Sequence, residues 1–516
     1  MLFNTYVFIF AFLPAVLCVF YALRNRSYYS LAYGWLVIAS LFFYGWWNPK
    51  YLLLIGTSIV FNFFVGKLLA IQIEKNLNRQ AALALFIGIT GNLLLLGYFK
   101  YANFFIENLN QYAQTQWHLD DIVLPIAISF FTFQQIAFLV DTKRQLAKKC
   151  SFMHYCLFVC FFPQLIAGPI VHHKQVLPQF LQTTKRLNWR ENLAIGGTLF
   201  FIGLFKKVVF ADNLALVASP IFAEAELGHS INLVDAWTAT LAYSLQLYFD
   251  FSGYSDMAIG LARMFGIRLP ENFNSPYKAN SIIDFWRRWH ITLSNFLRDY
   301  LYIALGGNRN GSIRRYINIG ITMLLGGLWH GAGWNFVFWG GLHGLFLIAN
   351  HLWRGVWPQK GNALIGVFFS RLLTLLAVSI AWVFFRAEST HGAMAILKGM
   401  TTIPPNLASR FNLEGNLDAL NLSVGGNPFY QSELPSLALW AIFWAIVVWA
   451  LPNSQQIMDL TNPSKIDESK SDSTTTNIKS KNTWKPSPIW ALASAIIASA
   501  AILSLNQVSE FLYFNF

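Results

Sequence analysis

Two histidines stand in aromatic, otherwise apolar sequence: His290 in Trp286-Arg287-Arg288-Trp289-His290, and His330 in Leu328-Trp329-His330-Gly331-Ala332-Gly333-Trp334-Asn335. An ionisable group at bilayer depth is costly, so it faces a protein interior or a wet cavity and its default reading is functional. Neutral imidazole titrates near operating pH and can take a proton from an attacking hydroxyl. Without a Gly-x-Ser-x-Gly elbow or other nucleophile signature, the pair suits general-base chemistry, and acyl transfer to an alcohol fits it best. Zinc would need further ligands, and neither an i, i+4 histidine pair nor a nearby cysteine supplies them, so no metal is expected. His343 lies in the same run as His330, which keeps a second reading open: a core histidine satisfied by a carbonyl.

The elements that must position these residues are membrane helices. The chain has 516 residues, 55% of them hydrophobic, 17% aromatic and only 12% charged. Soluble domains carry about twice that charge. Apolar runs near the roughly 20 residues needed to span recur from Val7 to Leu23, Leu31 to Trp47, Leu52 to Ile71, Ala82 to Tyr98 and onward. The expectation is an all-α polytopic membrane protein of about 11–13 membrane segments around a central tunnel, with interfacial and broken helices. Met1 opens directly on an apolar run, so an uncleaved first span is expected. The formal charge of +13 sits in short connections such as Arg24 to Arg26, Lys143 to Lys149 and Lys185 to Arg190. That is positive-inside patterning and not a nucleic-acid surface, and it puts both termini on the outer side. Cys18, Cys150, Cys156 and Cys160 lack Cys-x-x-Cys pairing and read as packing residues.

Organisation is uneven. Residues 1–122 read as N-terminal spans. Residues 123–385 form the core, with embedded Gln134, Gln135, Asp141, Gln164, Gln246, Asp250, Asp256 and Asp284. Phe162-Pro163-Gln164-Leu165-Ile166-Ala167-Gly168-Pro169-Ile170 should break a helix, and broken helices at membrane depth line a cavity or lie inside protein. Residues 386–434 read as an extramembrane excursion, 435–452 as a span, 453–487 as a disordered linker, and 488–516 as a last span with an aromatic tail. Around His290, helical spacing puts Trp286, His290, Leu293 and Leu297 on one face of an interfacial helix. Ile317 to Phe346 reads as one glycine-rich span, its glycines allowing close helix approach. Gly306-Gly307-Asn308-Arg309-Asn310-Gly311 reads as a turn, since no strand precedes it and a Lys-Ser/Thr pair is missing.

Trp286-Arg287-Arg288-Trp289-His290, Leu297-Arg298-Asp299-Tyr300, Leu247-Tyr248-Phe249-Asp250-Phe251-Ser252-Gly253-Tyr254-Ser255-Asp256 and Trp329-His330-Gly331-Ala332-Gly333-Trp334-Asn335 together resemble the membrane-bound O-acyltransferases, most closely their bacterial alginate O-acetylase branch. The resemblance covers most of the chain, including Gly203-Leu204-Phe205-Lys206-Lys207-Val208-Val209 and Trp382-Val383-Phe384-Phe385-Arg386-Ala387. It implies that His330 matches the family's catalytic histidine, that His290 matches a second functional histidine, and that Asp250, Trp329 and Asn335 line the tunnel or meet substrate. It also implies acetyl coenzyme A as cytoplasmic donor, with no cofactor held. Lys206, Lys207 and the cluster Lys143 to Lys149 could attract the donor's phosphates, although the positive-inside pattern explains them equally well.

The tail Phe511-Leu512-Tyr513-Phe514-Asn515-Phe516 resembles the Phe-x-Tyr-Phe-x-Phe ending of the small membrane partner in the related D-alanylation system. Tyr513 is therefore a candidate acyl carrier, with an interfacial aromatic anchor as the plainer reading. The expected protein is a multi-pass O-acetyltransferase of a bacterial inner membrane that feeds acetyl to an exported polysaccharide such as alginate. Its expected partners are membrane lipids, a periplasmic acetyltransferase and export or modification proteins. Peptidoglycan O-acetylation is the nearest alternative and D-alanine transfer a more distant one. A transporter with a His/Asp proton relay is the alternative of a different class, although the related halves usual in transporters are not visible.

Overall fold

The computed structural model describes residues 1–120, 122–147, 150–166, 168–181, 188–356, 364–403, 434–458 and 483–506. Among these the regular secondary structure is all helical, with no strand. Four long apolar elements come first: α1 (Phe8–Asn25), α2 (Tyr29–Gly45), α3 (Lys50–Glu74) and α4 (Asn78–Ala113). They expose Phe10, Ile38, Leu53, Phe64, Leu83, Phe86 and Leu94. Such an apolar exterior is what lipid requires and water would not tolerate. Asn62 and Asn92 exchange reciprocal amide hydrogen bonds between α3 and α4 at 2.6 and 3.1 Å, which satisfies two polar groups where no water competes.

The core follows. Helix α5 (Ile128–Lys143) leads into the short pieces α6 (Phe152–Cys160), α7 (Phe162–Leu165) and α8 (His173–Leu181). The break expected at Pro163 to Pro169 is present, and the freed backbone N–H of Ile170 donates to Thr292 Oγ1 at 3.0 Å. Next come α9 (Trp189–Glu226) and α10 (Leu233–Met264), the latter buried from Ala242 to Ala262 without interruption. These two cross where Gly203 meets Gly253 and Gly196 meets Gly260. A Cβ on Gly203 would lie 2.7 Å from the Met257 backbone nitrogen, so the crossing is closer than any side chain permits.

Beyond α10 the chain forms α11 (Ile282–Trp286), α12 (Ile291–Phe296) with a π-helical turn at Leu297–Tyr302, α13 (Gly311–His330), α14 (Trp334–Val356), α15 (Leu364–Arg386), α16 (Thr390–Gly399), α17 (Leu434–Ala445), α18 (Ser454–Ile457) and α19 (Pro488–Leu503). Among the described residues five helices (α1, α3, α4, α9 and most of α15) are long and apolar enough to cross a membrane, and α2, most of α17 with its π turn, and α19 are shorter apolar helices.

Two expectations need correction. The segment around His290 is not one interfacial helix. It stops after Trp286, turns, and restarts at Ile291, with His290 in the left-handed region at φ +41°. The cause is competition for backbone hydrogen bonds: Ile291 N–H donates to Asn272 O and Asn274 N–H to Arg288 O, both at 2.9 Å, so the preceding connection takes the bonds a helix would use. Ile317 to Phe346 is not one span either, because α13 ends at His330, Gly331 is extended, and α14 returns alongside α13. The glycines serve that return: a Cβ on Gly327 would lie 3.0 Å from Gly340 Cα. The stretch read as an extramembrane excursion contains helix α16, capped by Ser389. Residues 404–433 and most of the expected linker, 459–482, lie outside the described residues, as does Tyr513. The turn at Gly306 to Gly311 is present, with positive φ at Gly306, Gly307 and Gly311.

Candidate active site

The site is an alternating row of imidazole and indole rings. Trp329 lies 6.4 Å from the ring of His290 and 4.9 Å from that of His330. Trp339 then lies 5.0 Å from His330 and 4.9 Å from His343. The structure thus brings together His290, His330 and Trp329 from two separated stretches of sequence. His290 is 0% exposed and His330 7%. Phe385 closes the far side of His330 at 5.2 Å, and the packing of Phe336 against Gly331 leaves no room for a side chain there.

His290 has its tautomer set for it. Asn272 Oδ1 accepts from the Thr292 backbone N–H at 3.3 Å and from Thr292 Oγ1 at 2.8 Å. A backbone N–H can only donate, so the amide orientation is fixed with its oxygen toward Thr292. His290 Nδ1 lies 3.0 Å from the same oxygen and must therefore donate. That leaves Nε2 as a bare lone pair, buried and without a hydrogen-bond partner among the described residues. An orphaned buried acceptor is costly and uncommon, and a base awaiting a substrate proton accounts for it. His343 differs in its tautomer: Trp286 Nε1–H donates to its Nδ1 at 3.3 Å, so the proton is on Nε2, which is also buried without a hydrogen-bond partner among the described residues, and its ring is packed among Phe285, Trp339 and Trp382.

Two other predicted residues sit elsewhere. Asp250 belongs to a buried ion triad in which Lys207 Nζ lies 2.8 Å from Asp250 Oδ1 and 2.7 Å from Asp212 Oδ1. Asn335 ties the start of α14 to the end of α15, its Nδ2 donating to Ala387 O at 2.8 Å. Lys206 pairs with Asp256 at 2.9 Å, and Asp256 also accepts from Ser454 and Gln455 of α18. Both lysines are thus engaged by carboxylates and are not an open phosphate site. Lys148 and Lys149 lie outside the described residues. Glu271, in the connection after α10 and outside the spanning helices, has its carboxyl pushed up to about 7, chiefly by burial and then by Asp256, with Arg288 pulling the other way.

Sequence reasoning missed Asn272 and Lys100. Asn272 lies 18 residues before His290 in a polar connection, a spacing that signals nothing by itself. Lys100 had a visible signal, a lone cation just past the apolar run ending at Tyr98. No cluster of three or more metal-ligating side chains occurs among the described residues.

Residues 80–361 match the model of the MBOAT, membrane-bound O-acyltransferase family. The chain is 47% identical to the peptidoglycan O-acetyltransferase of Helicobacter pylori, over 78% of this chain and 80% of that one. It is 42% identical to the probable alginate O-acetylase AlgI of Pseudomonas aeruginosa, over 82% and 79%. Similarity to the teichoic acid D-alanyltransferase of Bacillus subtilis is weaker, 28% over half of this chain. With the family match spanning more than half of its length, and the two paired rings inside the matched region, this chain belongs to the membrane-bound O-acyltransferases and is an O-acetyltransferase enzyme.

Proposed function

We propose that the protein takes acetyl from acetyl coenzyme A on the cytoplasmic side of a bacterial inner membrane and passes it through the membrane for O-acetylation of an exported polysaccharide, alginate or a comparable exopolysaccharide. The observation that carries this reading is the meeting of His290 and His330 on the two sides of Trp329, with His290 Nε2 bare. In the proposed reaction an imidazole, His330 by its match to the family motif, takes the proton of the acceptor hydroxyl. The oxygen attacks the thioester carbonyl, the tetrahedral adduct collapses, and the thiolate leaves and recovers the proton. His290, held by Asn272, acts as the second proton acceptor. A polyanionic carrier cannot cross a bilayer, so handing the acetyl group through protein avoids moving the carrier.

Alginate is supported by the names of the relatives at 42% identity, and a peptidoglycan acceptor by the relative at 47%. Within the same proposal Tyr513 receives the acetyl group transiently before a periplasmic partner completes transfer. The test is turnover of labelled acetyl coenzyme A by the purified protein in liposomes, with His330→Ala beside wild type and with alginate or peptidoglycan fragments supplied. Loss of thiol release in a folded His330→Ala variant supports the reading, and equal release refutes it. Which polymer carries label decides the acceptor. Acetyl on Tyr513 in donor-fed protein supports the carrier, whereas its absence together with full activity of Tyr513→Phe removes it.

A further inference from the structure

Helix α13 ends abruptly at His330, because Gly331 is extended and cannot continue it. Its last carbonyls therefore need donors from elsewhere. The described donors come from α4, more than 220 residues earlier. Tyr101 Oη donates to Leu328 O at 2.8 Å. Lys100 Nζ donates to Trp329 O at 2.5 Å and to His330 O at 3.2 Å, and its third proton reaches Ser129 Oγ at 3.4 Å. An ammonium has three protons, and each has an acceptor here, so Lys100 is neither an idle cation nor an open anion site. It also stands 5.8 Å over the Trp329 ring.

Position and charge agree. A cation at a helix C-terminus meets the negative end of the helix dipole, and the contact lies in the low-dielectric interior, where such bonds are strongest. Lys100 and Tyr101 stand on the π-helical turn Gly97–Tyr101, the kind of local widening that recurs at functional sites.

We propose that Lys100, assisted by Tyr101, is a positioning residue: a C-cap supplied by another helix that fixes the end of α13 and with it the imidazole of His330 against Trp329, Trp339 and Phe385. The role of His330 as base rests on the reading above; the positioning does not. The test compares Lys100→Met, Lys100→Arg and Tyr101→Phe with wild type and His330→Ala in liposomes. It reads acetyl coenzyme A turnover and, separately, the rate at which diethyl pyrocarbonate modifies His330, with half-buried His172 as internal control.

A misplacement of about 1 Å costs roughly 100-fold in rate. Lys100→Met is expected to lower kcat by about that factor with the donor KM unchanged, and to speed modification of His330 but not of His172. Lys100→Arg, which keeps charge and donors, is expected to recover most of both, and Tyr101→Phe to show a smaller loss. Wild-type kcat and unchanged His330 labelling in Lys100→Met overturn the proposal, as does a Lys100→Arg variant no better than Lys100→Met. If His330→Ala stays active while Lys100→Met still alters His330 labelling, the positioning holds and the base assignment falls.

Discussion

Replacing Asn272 by alanine is the most direct challenge to the site as described. The substitution removes one oxygen that accepts from His290 Nδ1, Thr292 N and Thr292 Oγ1, and one NH₂ that donates to Ser255 Oγ at 3.2 Å. The Thr292 hydroxyl can rotate to another acceptor, but His290 Nδ1 and Thr292 N are left as buried donors, each costing about 1–3 kcal/mol. The expected loss of stability is therefore about 2–6 kcal/mol. The kinetic loss is of a different kind. Without its acceptor the imidazole is no longer confined to the Nδ1–H tautomer, and the imidazolium formed on proton transfer loses a charge-assisted bond of about 1.5–3 kcal/mol, or roughly 10- to 150-fold in rate. In serine proteases, removing the group that sets the tautomer costs up to about 10⁴, which is the upper limit here. Asn272→Asp separates the two effects, since a carboxylate accepts the same bonds and Ser255 can turn to donate to it. It should keep kcat within about tenfold of wild type. The assay is acetyl coenzyme A-dependent thiol release in liposomes, with thermal unfolding in detergent as the control for folding. An Asn272→Ala protein that is folded and within twofold of wild-type kcat would refute the argument that Asn272 prepares His290.

Gly327→Ala and Gly320→Ala should behave oppositely. The first places a Cβ 3.0 Å from Gly340 Cα and 3.1 Å from Gly340 N, which backbone cannot yield, for a cost of about 1–3 kcal/mol and displacement of α13 near His330. The second meets nothing within 4 Å and should be neutral or stabilising by up to about 1 kcal/mol. Lys207→Met leaves Asp212 and Asp250 buried without their cation and should lower stability by about 3–5 kcal/mol, whereas Asp250→Asn, which leaves the Lys207–Asp212 pair, should cost less; equal losses would contradict the triad. Glu271 predicts a pH dependence. Its folded carboxyl holds a proton up to about 7 against an ordinary 4.5, so its contribution is present in full below about pH 4.5 and is lost as pH rises through about 7. The gap amounts to at most about 3 kcal/mol. The melting temperature should fall between about pH 5 and about pH 8, and Glu271→Gln should flatten that fall; identical slopes would remove Glu271 as its source.

What the sequence makes legible here follows from the range of the forces involved. Hydropathy is a local property, so the helical class and the apolar first third can be read directly, as can the breaks at Pro163 to Pro169 and Gly306 to Gly311, where single residue types forbid a helix. His290 and His330 can be singled out because an imidazole in apolar surroundings is expensive wherever it lies. Their partners cannot, because they are set by tertiary hydrogen bonds with no sequence period. Asn272 reaches His290 only because the connection after α10 pairs its backbone with residues 288 and 291, and that same pairing breaks the helix which 3.6-residue spacing predicts. Asp250 shows the converse. Its depth in an apolar helix marks it correctly as exceptional, yet Lys207, 43 positions earlier, already neutralises it across the Gly203–Gly253 crossing. An embedded charge is thus a sign that something must answer it, and only the packing of helices decides whether the answer is a substrate or another side chain. By that rule the residues most informative about chemistry are found among those left unanswered once every contact is counted, and among the described residues His290 Nε2, a buried imidazole lone pair beside Trp329 and His330, is one of them.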